Sequence, residues 1–164
     1  MIELLFLCSQ FPKMEYANYV SFLVEAKTQG YSSGVTYLPG LIKGTKEFTY
    51  EKGRMKYMDI YSGSLYFLGQ ELIMEGSAPQ WGMVYSGGIM DDNYGTKEVY
   101  DFLRDALKRV PQDLPLRGKE FFSNSKFVYK NLTEGDLGHF LGYETIEHEE
   151  NLIYELHYSG GFIE

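Results

Sequence analysis

Residues 55–89 read MKYMDIYSGSLYFLGQELIMEGSAPQWGMVYSGGI. Alternation governs the stretch. From Met55 to Tyr61, residues Tyr57, Asp59 and Tyr61 fall on one face, because successive strand side chains point to opposite sides. From Leu65 to Met74, residues Phe67, Gly69 and Glu71 share a face, and from Gln80 to Ile89 so do Trp81, Met83, Tyr85 and Gly87. Glu75-Gly76-Ser77-Ala78-Pro79 reads as the turn between the last two strands. Upstream, Lys46 to Glu51 completes a hairpin across Lys52-Gly53. Consecutive strands joined by tight turns form an antiparallel meander.

Two helical patterns flank this meander. Val99, Phe102, Leu103, Ala106, Leu107 and Val110 keep a one-sided 3.6-residue period, so a helix is predicted from about Lys97 to Arg109, with Thr96 as N-cap and Pro111 as stop. Tyr19, Phe22, Leu23 and Ala26 share one face of a helix from about Asn18 to Gln29, closed by Gly30. Strands follow at Lys126 to Leu132, Gly138 to Glu147 and Leu152 to Ile163, with turns at Glu134-Gly135-Asp136 and Glu149-Glu150-Asn151. Tyr31 to Thr45 and Pro111 to Arg117 read as loops.

The order helix, strands, helix, strands suggests a duplication. Phe22-Leu23 with Ala26 matches Phe102-Leu103 with Ala106, and Phe48-Thr49-Tyr50 resembles Phe127-Val128-Tyr129. Tyr85-Ser86-Gly87-Gly88-Ile89 recurs as Tyr158-Ser159-Gly160-Gly161-Phe162-Ile163. The expected fold class is therefore α+β, a twisted antiparallel sheet with two helices in two related helix-plus-meander halves. Residues 1–164 form a single domain: 1–16 an N-terminal extension, 17–92 the first half and 93–164 the second.

Composition agrees with a strand-rich domain. Of 164 residues, 44% are hydrophobic and 16% aromatic, with 15 Tyr, 11 Phe and 18 Gly. The formal net charge of −8 offers no positive footprint, so direct nucleic-acid binding is not expected. Cys8 is the one cysteine, which excludes an intramolecular disulfide and fits a reducing, cytoplasmic setting. The apolar run Ile2 to Leu7 is far shorter than a membrane span and reads as a first strand or extension, so no membrane partner is expected.

Motifs of known chemistry are missing. There is no phosphate-binding glycine loop and no nucleophile elbow. Asp91-Asp92-Asn93-Tyr94-Gly95 hints at a calcium loop, but Gly95 sits at a ligand position and Phe102 where a bidentate Glu belongs. His139, His148 and His157 have no zinc spacing, and His148 reads as solvated. Neither a metal nor a cofactor is implied. The strand faces are more informative. Asp59 and Glu71 stand among aromatics, and a carboxylate on an apolar face costs several kcal/mol, in order of magnitude, unless paired. The candidate ligand-binding residues are therefore Tyr57, Asp59, Tyr61, Glu71, Trp81 and Tyr85. The same stripe would equally serve a plain core.

The run Tyr50-Glu51, Gly53, Tyr57, Asp59, Tyr61, Gly63, Phe67, Gly69, Glu71, Trp81, Met83, Tyr85, Gly87 resembles an uncharacterised prokaryotic domain family. Its members often sit behind a phage-repressor-like helix-turn-helix in predicted transcriptional regulators. Arg117-Gly118, Glu134-Gly135-Asp136, Gly142-Tyr143-Glu144 and Gly160-Gly161 extend the resemblance over roughly residues 20–163. About twenty residues precede Phe22, too few for a helix-turn-helix unit, so a stand-alone effector-type domain is expected. The resemblance implies a sensing role, and the residues suit a ring-bearing or cationic small molecule. The leading expectation is a non-enzymatic binding domain. The alternatives are a small enzyme using Asp59 and Glu71 as acid and base, and an interaction or homodimerisation module.

Overall fold

A computed structural model describes residues 13–32, 35–91 and 93–163. The Ile2 to Leu7 run, Cys8 and Asp92 lie outside the described residues. The elements run α1 (Lys13–Gly30), β1 (Leu38–Pro39), β2 (Lys46–Lys52), β3 (Met55–Gly63), β4 (Tyr66–Glu75), β5 (Ala78–Ile89), α2 (Thr96–Leu107), β6 (Phe121–Ser123), β7 (Val128–Asp136), β8 (His139–His148) and β9 (Asn151–Phe162). The strands join in one antiparallel sheet ordered β1-β2-β3-β4-β5-β9-β8-β7-β6. Strand takes up 51% of the described residues and helix 19%, so the α+β expectation holds only loosely and the described structure is mostly sheet. Among the described residues, no helix is long and apolar enough to cross a membrane.

The order is a palindrome. A meander β2 to β5 meets a second meander, β6 to β9, along the β5–β9 seam, where Tyr85 faces Tyr158. Both helices pack on the same side. Phe22, Leu23 and Ala26 of α1, with Val99, Phe102, Leu103, Ala106 and Leu107 of α2, are buried in one cluster with Tyr57, Ile73, Trp81, Met83, Tyr129, Ile146 and Tyr154. Burying one such Leu or Phe side chain contributes about 1.5–3 kcal/mol. The other side of the sheet is left open, and Leu68, Val84 and Leu141 remain 59%, 56% and 52% exposed there.

The local departures have local reasons. Helix α1 starts at Lys13, inside the expected extension. Helix α2 takes Gly95 as N-cap, with no side-chain cap, so Thr96 is its first residue and not its cap. It ends at Leu107, ahead of Pro111. The β4–β5 connection is tighter than expected, because Glu75 already pairs with Ala78 across Gly76-Ser77. Strand β7 runs through Glu134-Gly135-Asp136, and the turn is Leu137-Gly138, where Asp136 Oδ1 accepts from both Gly138 N and His139 N. Glu149 and Glu150 form the β8–β9 turn with φ of 49° and 66°. Such a two-residue hairpin turn asks for positive φ, which favours Asn and Gly.

Candidate ligand cleft

A cleft of about 340 Å³ lies over the helix-covered face of β3, β4 and β5. That volume is at the lower end of the roughly 300–1,000 Å³ typical of small-molecule sites. Tyr31 and Tyr37, from the segment after α1, form one wall, and Tyr100 and Arg104 of α2 form the other. Asp59, Tyr61, Phe67 and Tyr85 lie between them, with Lys46 on β2 and Arg117 from the loop after α2. Residues Thr96, Tyr100, Leu103, Arg104 and Leu107 all line it, so α2 presents one helical face to the cleft.

Asp59 is 7% exposed and takes a hydroxyl on each oxygen. Tyr85 Oη donates to Oδ1 at 2.6 Å and Tyr37 Oη donates to Oδ2 at 2.8 Å. Gly69 makes this possible: it sits opposite Tyr85, and a Cβ there would strike the ring. Burial, then the nearby Glu71 charge, push the Asp59 carboxyl up to about 6, against the two tyrosine hydrogen bonds and Lys27. Burial and the Asp59 charge in turn hold the Tyr37 and Tyr85 hydroxyls far above the ordinary phenol range. They therefore stay protonated and remain donors.

Two buried ion pairs underlie the cleft. Lys27 Nζ donates to Glu71 Oε2 at 2.5 Å and to the Leu116 carbonyl at 2.7 Å. Burial pulls the Lys27 amino group down from its usual range, and Glu71 opposes that pull. Arg117 grips Glu144 through Nε (3.1 Å) and Nη2 (2.6 Å). Against burial, which disfavours its charge, the Glu144 carboxylate keeps the guanidinium protonated. Tyr129 and Tyr154 also donate to Glu144, at 2.7 and 2.9 Å. The guanidinium carbon stands 5.8 Å from the Tyr85 ring centre, which links the two clusters.

The second meander repeats this construction. Asp59 pairs with Glu71, Tyr61 with Gly69 and Tyr57 with Ile73; likewise Asn131 pairs with Glu144, Thr133 with Gly142 and Tyr129 with Ile146. Tyr129 thus corresponds to Tyr57, not to Tyr50. A Cβ on Gly142 would strike the Tyr158 ring, just as one on Gly69 would strike Tyr85. Tyr158 Oη donates to Asn131 Oδ1 at 2.9 Å, the counterpart of the Tyr85–Asp59 bond. The one change of charge is Asn131 for Asp59. Asn131 Nδ2 also donates to the Gly118 carbonyl.

Of the six residues expected from sequence, Asp59, Tyr61 and Tyr85 line the cleft. Tyr57 and Trp81 are sealed in the core, where Trp81 Nε1 donates to the Leu137 carbonyl at 3.0 Å and the indole stacks on Phe140. Glu71 is 1% exposed and held by Lys27 behind the cleft. His148, expected to be solvated, is half-buried and meets Tyr94 Oη through Nδ1 at 3.0 Å. His139 and His157 are exposed. Tyr31, Tyr37, Tyr100, Lys46 and Arg104 also line the cleft but carry no site signal in the sequence, and Arg117 stands out there only through the family resemblance. Tyr37, Lys46 and Arg117 fall in or beside stretches without periodicity. Lys27 did carry a signal, since it stands four residues after Leu23 in the apolar stripe of α1.

A larger concavity, about 700 Å³, lies on the open face between Leu68, Val84 and Leu141. Its lining includes no Asp, Glu, Lys or Arg side chain, so it offers less to orient a ligand.

Comparison with curated proteins and with solved structures gives no match. A family profile described as Domain of unknown function (DUF5680) matches residues 59–163, from Asp59 through β9. The matched segment holds most of the cleft and both the Asp59–Tyr85 and Asn131–Tyr158 pairs, and it spans well over half of the chain: the protein belongs to the DUF5680 family.

Proposed function

We propose that this protein is a non-enzymatic small-molecule-binding domain whose site is the cleft between α2 and the segment after α1. One observation carries the reading: Tyr31, Tyr37, Tyr61, Phe67, Tyr85 and Tyr100 surround a cavity of ligand size with a fixed, hydrogen-bonded carboxylate among them. Aromatic walls with few placed polar groups suit a ring-bearing ligand. The site is not the whole aromatic face that the sequence suggested, since Tyr57, Glu71 and Trp81 support the cleft from behind. The palindromic sheet supports two related halves, of which the first carries the buried carboxylate Asp59. The resemblance to domains that accompany transcriptional regulators favours a sensing role. The paired-carboxylate enzyme is less well supported, because Glu71 is locked on Lys27 and both Asp59 oxygens are occupied.

The test is protein-observed NMR with a small set of ring-bearing fragments. Shifts concentrated at Tyr37, Tyr61 and Tyr100, and lost in Tyr100→Ala with the rest of the spectrum intact, support the reading. Fragments that shift only open-face residues, or none at all, refute it. A second reading, an interaction or homodimerisation module, rests on the exposure of Leu68, Val84 and Leu141. Sedimentation equilibrium of wild type and Leu141→Asp tests it; a monomer in both cases removes it.

A further inference from the structure

Most basic side chains of this acidic chain are neutralised. Lys52, Lys97, Lys126 and Lys130, for example, each lie within 4.0 Å of a carboxylate. Lys46 and Arg104 differ. Both are exposed, both line the cleft, and among the described residues neither has a carboxylate at ion-pair distance. The nearest charge partner of Lys46 is the Tyr61 ring, whose centre is 5.6 Å from its Nζ. Arg117 adds a third cation to the lining, although Glu144 holds it.

On the negative side there is one lining carboxylate, Asp59. Its two oxygens already accept hydroxyl protons from Tyr85 and Tyr37. A cationic ligand would have to displace one of these buried bonds. An anionic ligand displaces nothing, because Lys46 and Arg104 stand unpartnered. Thr96, the first residue of α2, lines the cleft as well, and the helix has no side-chain cap there. The positive end of the helix dipole therefore adds to the same field.

We infer that the cleft takes a planar aromatic monoanion of the aromatic-carboxylate class, its ring among Tyr37, Tyr61, Phe67 and Tyr100 and its negative group against Lys46 and Arg104. This rests on the cleft being a binding site and names the ligand class. The cationic ligand that Asp59 suggested in the sequence is disfavoured, because that carboxylate is committed to tyrosines.

Three probes share one ring system and differ in charge: 2-naphthoate, 2-naphthol and 2-naphthylmethylammonium. Titrations followed by NMR place each on the protein and give its affinity. The naphthoate is expected to bind tightest and the ammonium weakest, all at the cleft. Lys46→Gln and Arg104→Gln should each weaken the naphthoate about two- to fivefold, the usual worth of one exposed ion pair, and leave naphthol unchanged. Asp59→Asn should tighten the naphthoate, since it removes a like charge and keeps a bond that Asn131 already makes in the other half. Equal affinity of the three probes at the cleft would overturn the anion inference and leave the binding reading standing. An ammonium that binds tightest and is lost in Asp59→Asn would reverse it. No probe at the cleft would remove the binding reading itself.

Discussion

Asp59→Asn tests the electrostatics of the cleft most directly. The Asp59 carboxyl titrates near 6 in the folded protein, against 3.8 for an ordinary side chain. Burial and the Glu71 charge raise it, and the Tyr85 and Tyr37 hydrogen bonds do not fully offset them. A folded-state value above the unfolded one means that stability is fully present at low pH, below about 3.8, and is lost as pH rises through about 6. At about 1.36 kcal/mol per unit, the carboxylate withholds on the order of 3 kcal/mol from folding above about pH 7. Asparagine keeps the size and one acceptor, and the Asn131–Tyr158 bond shows that this fold accommodates the pair. The assay is urea denaturation at about pH 4.5, 6 and 8, read by fluorescence of Trp81, the one tryptophan, which is fully buried. Stability of Asp59→Asn relative to wild type should rise by about 2 kcal/mol across that range, the first kcal/mol or so being already lost by pH 4.5. Parallel pH curves for the two proteins would refute the assignment of a strained charge at this position.

Three further outcomes follow from the geometry. Replacing Glu149-Glu150 by Asn-Gly should raise stability by about 1 kcal/mol, because both residues hold positive φ in a hairpin turn and carry like charges; a lowered melting temperature would count against it. Lys27→Met should cost about 3–5 kcal/mol by leaving Glu71 buried and unpaired, while Lys27→Met with Glu71→Leu should recover most of that in the same denaturation assay. Trp81→Phe should lose about 1–2 kcal/mol with the Leu137 carbonyl bond, yet leave aromatic-ligand binding at the cleft unchanged by titration.

The long strands and α2 were legible because both carry a clean period over ten residues or so. Strand β5 alternates Trp81, Met83, Tyr85 against Gly82, Val84, Ser86, and its burial alternates in step. Strands β1 and β6 were not legible: with two and three residues they are too short for any period, and their place comes from pairing with β2 and β7. The cleft was half legible. Alternation puts Asp59, Tyr61 and Tyr85 on the correct face but cannot say which part of that face a helix covers. Trp81 and Tyr57 lie under packed side chains, while Tyr61 and Tyr85 sit where α2 and the segment after α1 stand apart. That spacing belongs to tertiary structure. The two buried cations illustrate the same limit: Lys27 breaks an apolar helical stripe and could be read, whereas Arg117 ends a loop whose path is fixed by tertiary bonds, its own to Glu144 and that of Lys27 to the Leu116 carbonyl.

The β5–β9 seam joins the two meanders edge to edge. Tyr85 faces Tyr158 in antiparallel register, and an antiparallel edge can pair with a copy of itself as well as with the other meander. Cutting the backbone between Met90 and Gly95 would expose a bare twelve-residue edge on each fragment, β5 on one and β9 on the other. Either fragment can then bind its original partner or a second copy of itself, with Tyr85 against Tyr85 or Tyr158 against Tyr158. Only the mixed pair brings Arg117 and the α2 wall to Asp59 and rebuilds the cleft, which makes recovered ligand binding a selective reporter of the correct reassembly.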